Sequence, residues 1–196
     1  MTRLVSVNVG KPREIGSIRG KRVESGIYKQ PVSGPVKVWR LNLEGDEQAD
    51  LEVHGGVKKA VYAYPSEHYV YWKDRFPEME LPWGSFGENL TTEGLLEHSV
   101  HVGDKLSIGS AEFEVTQPRL PCYKLGIKFG TQRMLKWFLH SGRTGFYLSV
   151  VREGECEAGD QISMTRYDRP SPTIASIVDL RREGDEDADA GQRTTK

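Results

Sequence analysis

The chain has only two cysteines, Cys122 and Cys156, among 196 residues. A pair of thiols in a domain of this size is no disulfide framework, and nothing in the pattern points to secretion. Neither sign of charge is in excess. The formal net charge is −1, which removes the global basic footprint of a nucleic-acid binder and leaves anion binding to local clusters. No apolar run approaches the roughly 20 residues that span a membrane. Met1-Thr2-Arg3-Leu4-Val5-Ser6-Val7 is too short and too alternating for a signal peptide, so it is expected to form a first strand. A cytoplasmic protein without nucleic-acid or membrane partners is the expectation. Phosphate-loop, dinucleotide and GxSxG signatures are all missing. The histidines at 54, 68, 98, 101 and 140 lack zinc-motif spacing, and no CxxC occurs.

What remains is polar but adequate for a core: 37% hydrophobic and 28% charged residues, suited to one domain with a small appendage. Most of the chain reads as short strands broken by Gly, Pro and Asp. Alternation marks residues 4–9 and 36–43, and a short apolar run marks 60–64. Residues 105–108 and 111–116 read as a hairpin across Gly109-Ser110, and 145–151 with 161–166 as a second pair across an acidic turn. Gly103-Asp104-Lys105-Leu106-Ser107 echoes Gly159-Asp160-Gln161-Ile162-Ser163, one turn solution used twice. Helical spacing appears over 66–76, with Ser66 a plausible N-cap and Tyr69, Trp72 and Phe76 on one face, and again over 131–140. After Tyr167 the composition changes. Residues 168–182 read as a linker with one or two amphipathic turns, and 183–196 as a disordered polar tail.

Gln117-Pro118-Arg119-Leu120-Pro121-Cys122-Tyr123-Lys124 concentrates chemistry. The prolines stiffen the loop, and Arg119 and Lys124 are cations close enough to favour a thiolate on Cys122. A thiolate attacks electrophiles or binds soft metals. Cys156 lies in the acidic stretch Glu153-Gly154-Glu155-Cys156-Glu157-Ala158-Gly159-Asp160, where neighbouring carboxylates disfavour a thiolate, so it reads as structural.

Three further segments are weak alone. His54-Gly55-Gly56-Val57-Lys58-Lys59-Ala60 suits an anion, through backbone N–H groups and lysines, or is a plain glycine turn. In Trp83-Gly84-Ser85-Phe86-Gly87-Glu88-Asn89-Leu90-Thr91 the Asn89 amide is a ligand-binding candidate or caps its own loop. Gly142-Arg143-Thr144-Gly145-Phe146-Tyr147 offers Arg143 to an anion, or is a helix end followed by a strand.

Taken in order, these segments resemble the MOSC domain, the molybdenum cofactor sulfurase C-terminal domain family, and within it the YiiM-like branch. His54-Gly55-Gly56 with Lys59-Ala60-Val61-Tyr62-Ala63-Tyr64-Pro65, Phe86-Gly87-Glu88-Asn89-Leu90, Gln117 to Cys122, and Gly142 to Tyr147 carry the resemblance. Gly26-Ile27-Tyr28-Lys29 and Gly45-Asp46-Glu47-Gln48-Ala49-Asp50 fit it as well, so that it covers about residues 3–167. It implies a mostly β fold, an antiparallel β-barrel over residues 1–167 with peripheral helices. It implies a molybdopterin-type molybdenum cofactor with Cys122 as metal ligand and catalytic residue. Arg119 and Asn89 would hold the cofactor's phosphate or pterin, with His54, Gly55, Gly56, Lys59, Lys124 and Arg143 as further binding candidates. The implied activity is reduction of N-hydroxylated compounds such as 6-hydroxylaminopurine, with electrons from a partner redox protein and a homodimer left open. Two alternatives stand beside it: a sulfur carrier with a persulfide on Cys122, and a non-catalytic cofactor-binding module. Such relatives often continue into a C-terminal three-helix module, of which residues 174–182 could only be the start.

Overall fold

Alternation of side chains decides most of the architecture. The computed structural model describes residues 2–18, 20–47 and 55–193, with side chains through residue 185. In chain order the elements are β1 (Arg3–Val9), β2 (Arg13–Ile18), β3 (Lys21–Ser25), β4 (Gln30–Val32), β5 (Val36–Val38), β6 (Val61–Pro65), α1 (His68–Arg75), β7 (Leu90–Glu93), β8 (Lys105–Ile108) and β9 (Ala111–Pro118). There follow α2 (Tyr123–Lys128), α3 (Arg133–His140), β10 (Phe146–Arg152), β11 (Gly154–Cys156), β12 (Ile162–Thr165) and α4 (Ile174–Arg193). One eight-stranded sheet runs in the order β12-β8-β9-β10-β6-β7-β1-β4. All its pairings are antiparallel except β6 with β7. Two small ribbons, β2-β3 and β5-β11, stand apart.

Two hydrophobic clusters flank the sheet. Phe113 and Val115 of β9, Phe146, Leu148 and Val150 of β10, and Leu4 and Val7 of β1 fill the first. The second is aromatic: Tyr64, Tyr69, Trp72, Phe86, Phe129 and Phe138 lie between the sheet and α1, α2 and α3. β6 serves both, with Val61 and Ala63 in one cluster and Tyr62 and Tyr64 in the other. Burial on both faces is why this strand is a continuous apolar run. Each large apolar side chain so buried contributes roughly 1.5–3 kcal/mol.

The expected barrel does not close. The chain ahead of β12 reaches β1 through a single bridge, Arg3 with Gln161, and bonds such as Leu4 N–H to Asp160 O at 2.9 Å. β4 takes that edge of β1 from Val7 onward, and β7 takes the other. A strand has two edges, so only the first residues of β1 remain to meet β12.

Other expectations change in the tertiary context. The 105–108 and 111–116 hairpin is present as β8-β9. The second expected pair is not: β10 joins β9 and β6, while β12 joins β8. The acidic turn between them instead contributes β11, which sets Cys156 against Val36 of β5. The two Gly-Asp turns do share one solution. Asp104 accepts from His101 N–H at 2.8 Å and Asp160 from Glu157 N–H at 2.9 Å. The strands that follow them, β8 and β12, pair with each other.

Residues 123–128, where no helix was expected, form α2; six residues including Gly126 are too few to display a helical period. The tail differs as well. After a connection over residues 168–173, α4 runs as one helix from Ile174 to Arg193, longer than the one or two turns expected there. Ile174 and Val178 are fully buried and seat its start, and the proline-free, Arg-, Glu- and Ala-containing stretch beyond supports continuation. No helix among the described residues is long and apolar enough to cross a membrane.

Candidate functional site

β9 ends at Pro118, and the chain passes Pro121 to place Cys122 at the residue before α2, in an extended conformation with φ −123° and ψ 164°. The Cys122 carbonyl accepts from Leu125 N–H at 2.9 Å, anchoring the backbone while the side chain stays partly exposed. It opens into a cavity lined by Lys29, Lys59, Tyr62, Asn89, Arg119, Lys124 and Tyr147, among others.

Arg119 is the unusual member. It is 6% exposed, and its Nη1 is a buried polar atom with no hydrogen-bond partner among the described residues. Its guanidinium carbon lies 4.9 Å from the Tyr62 ring centre and 5.3 Å from that of Phe138. Burial by itself would lower its pKa, but the Tyr62, Tyr147 and Cys122 side chains outweigh that and leave it above the ordinary arginine value. Burial pushes the Tyr62 and Tyr147 hydroxyls up, with Arg119 pulling both the other way. A buried guanidinium with an unused N–H suits an anion, especially a planar or bidentate oxyanion.

The rest of the wall is held by a buried polar network. Lys29 and Asp46 form a buried ion pair. Asp46 also accepts from Gly10 N–H and from the Asn89 amide, each at 2.9 Å. Asn89 Oδ1 accepts from Tyr62 N–H at 3.1 Å. Glu88, fully buried, accepts from Gly84 N–H at 2.8 Å, Phe86 N–H at 3.0 Å, Thr91 Oγ1 at 3.1 Å and the Tyr69 hydroxyl. This carboxylate ties the loop into a fixed shape. Within that loop Gly87, at φ 82°, lines the cavity; a Cβ there would meet Ile27 Cγ1 at 2.8 Å. Lys128, behind the wall, donates to the carbonyls of Ile27 and Gly84 at 2.9 and 3.1 Å. Burial draws its pKa down to about 7, against the pull of Glu88.

The fold therefore brings Cys122, Arg119, Lys59, Lys124 and Asn89 to one cavity. Asn89 faces it, with its amide engaged in tying Tyr62 to Asp46. Gly55 and Gly56 are not among the lining residues. Gly56 instead turns the chain at φ 88° and accepts from Lys59 N–H at 2.9 Å, delivering Lys59 to the wall. Arg143 is elsewhere. It lies over the Tyr71 ring at 4.2 Å and lines a separate cavity with His68 and Glu97. Its motif still matters through Gly145, at φ 61°, where a Cβ would stand 2.4 Å from Ala63 O. His54 lies outside the described residues, as do Gln48, Ala49 and Asp50.

Reading residues one at a time missed Tyr62, Tyr147, Lys29, Asp46 and Glu88 as wall-builders. Tyr62 and Tyr147 alternate with core residues of β6 and β10, a strand pattern that says which residues share a face and not what that face meets. Among the described residues no group of three His, Cys, Asp or Glu side chains could hold a metal ion. A metal here would rest on Cys122 together with ligands that a cofactor brings.

The chain resembles known proteins over most of its length. The MOSC domain family model matches residues 50–163. The chain is 44% identical to an uncharacterized protein, YflK of Bacillus subtilis, over 161 residues, covering 82% of this chain and 72% of that one. It is 43% identical to the YiiM protein of Escherichia coli over 158 residues, 80% of this chain and 66% of that one. A protein of Gibberella moniliformis named reductase is 37% identical over 182 residues, 91% of this chain and 31% of its own length. The crystal structure of YiiM from Geobacillus stearothermophilus superposes with a TM-score of 0.76 at 34% identity, covering 99% of this chain and 90% of that one. The chain belongs to the MOSC domain family. Its relatives there include the YiiM proteins.

Proposed function

We propose that the cleft holds a molybdenum cofactor of the molybdopterin type, with Cys122 as the protein's metal ligand, and that the loaded protein reduces N-hydroxylated compounds such as 6-hydroxylaminopurine. The observation that carries this reading is the unpartnered Nη1 of Arg119, buried in the same cavity as the Cys122 thiol. A phosphorylated pterin requires an anion site and a soft ligand side by side, and the cavity offers that combination of donors.

In this reading Arg119, Lys59 and Lys124 neutralise the phosphate, and Cys122 as thiolate ligates the metal. Tyr62 gives its O–H to the Thr144 carbonyl at 2.8 Å, and Tyr147, held protonated by burial, remains a hydrogen-bond donor on the wall. The Asp46–Asn89–Tyr62 chain fixes that wall, so little rearrangement accompanies binding. When bound, the cofactor supplies two-electron redox chemistry. The net conversion takes R–NHOH, two electrons and two protons to R–NH2 and water: the N–O bond breaks and its oxygen leaves as water. The electrons come from a partner redox protein. The fungal relative's name, reductase, supports the class of activity.

The deciding experiment is elemental analysis for molybdenum in wild type and Cys122→Ser, both purified without oxygen from a host that makes the cofactor. Near-stoichiometric molybdenum in wild type, lost in the variant, is the expected result. Molybdenum retained by the variant removes Cys122 as ligand. Molybdenum in neither protein transfers the function to a persulfide carrier.

A further inference from the structure

The Cys122 cavity does not end at its inner wall. A second cavity, called outer below for its place beside α4, shares Lys59, Cys122 and Tyr147 with it and runs along Gln117, Pro118, Leu120 and Pro121. Its far side is closed by α4, through Ile177 and Arg181. Those residues are four apart and so lie on one helix face. α4 cannot swing away cheaply, because Ile174 and Val178 are fully buried in the same turns.

The lining has a definite chemistry. Pro118, Leu120, Pro121 and Ile177 form an apolar wall, and Leu120 keeps 45% of its surface exposed. Lys59 stands at the junction with the inner cavity and Arg181 on the α4 side. Both are cations, and no carboxylate lines this space among the described residues. The next residue along, Arg182, is paired with Asp179 at 3.0 Å, whereas Arg181 faces the cavity. An apolar slot with a cation on its far wall fits a flat aromatic ligand carrying a negative charge.

We propose that this outer cavity is the substrate subsite, that it takes an aromatic compound bearing a phosphate or carboxylate, and that Arg181 of α4 selects for that charge. The assignment of the inner cavity to cofactor and the outer to substrate rests on the function proposed above. The charge preference of the outer cavity does not. By this account the natural substrate is an N-hydroxylated aromatic in an anionic form, such as a nucleotide, and the bare base is a poorer ligand.

The test is titration calorimetry of the purified full chain with two probes, adenosine and adenosine 5′-monophosphate, on wild type, Arg181→Glu and Arg181→Lys. Molybdenum content is measured on the same samples. A charge-assisted contact predicts roughly tenfold tighter binding of the monophosphate by wild type. That preference disappears in Arg181→Glu and returns at least partly in Arg181→Lys, with adenosine affinity and molybdenum content unchanged. Arg181 is exposed, so these variants are expected to fold. Equal affinity for the two probes, binding of neither, or a preference that survives Arg181→Glu overturns the proposal. Molybdenum lost on Arg181→Glu also overturns it, since Arg181 would then hold the cofactor. Wild type without molybdenum that still prefers the monophosphate rejects the function proposed above and leaves the anionic subsite standing.

Discussion

The two cysteines have the same side chain in two different settings. Cys156 is 2% exposed in β11, paired with Val36, and burial together with Asp160 pushes its thiol up to about 12. Cys122 is partly exposed at the start of α2, in a cavity with Arg119, Lys59 and Lys124. One thiol faces a core and acts as a small hydrophobe; the other faces cations and an opening to solvent. Reactivity follows from charge and access, since the thiolate is the nucleophile and the metal ligand.

The contrast can be broken from either side. The largest effect is expected at Cys122. Its replacement by Ser abolishes N-hydroxyl reduction and empties the site of molybdenum, while the thermal midpoint stays near that of wild type. Next in size is Asp46→Ala, which leaves Lys29 buried without its counter-ion and removes the anchor of Asn89. We expect about 3–5 kcal/mol of lost stability in urea unfolding. Cys156→Ser costs roughly 1–3 kcal/mol, because a hydroxyl replaces a thiol in an apolar pocket, yet leaves molybdenum content unchanged. A Cys156→Ser protein that loses the metal would show that the wrong thiol has been assigned to the site.

The last prediction concerns the lysine behind the wall. Lys128 has a folded pKa of about 7, below the ordinary lysine value near 10.5. Between those values the unfolded chain holds a proton that the folded chain has released. Stability contributed by this group therefore rises with pH across that window, by at most about 1.4 kcal/mol per unit. Subtracting the same curve for Lys128→Met isolates the slope. A flat difference from pH 7 to 10 would show that Lys128 stays charged in the folded protein.

Much of the site was legible in Gln117-Pro118-Arg119-Leu120-Pro121-Cys122, where local chemistry alone distinguished Cys122 from Cys156. Lys59 and Lys124 line the same cavity as Cys122. Arg143 did not, because a short polar motif does not reveal which face of the fold its side chain reaches; this one turns to Tyr71. Asn89 lines the cavity while its amide braces Tyr62 and Asp46, and nothing in the order Gly87-Glu88-Asn89 announces partners so far along the chain.

By itself the sequence determined the strand-rich architecture, the β8-β9 hairpin, α1 and α3, and which cysteine has cations for neighbours. These follow from side-chain periodicity, turn residues and charges only a few positions apart. Only the tertiary structure decided that β12 pairs with β8 and not β10, that β4 keeps the barrel from closing, and that Arg119 is buried with an unused donor. It alone brought Arg181 of α4 to the outer cavity. Those outcomes depend on which strand edges remain unpaired and which surfaces meet, and contacts between residues tens of positions apart leave no local pattern to read.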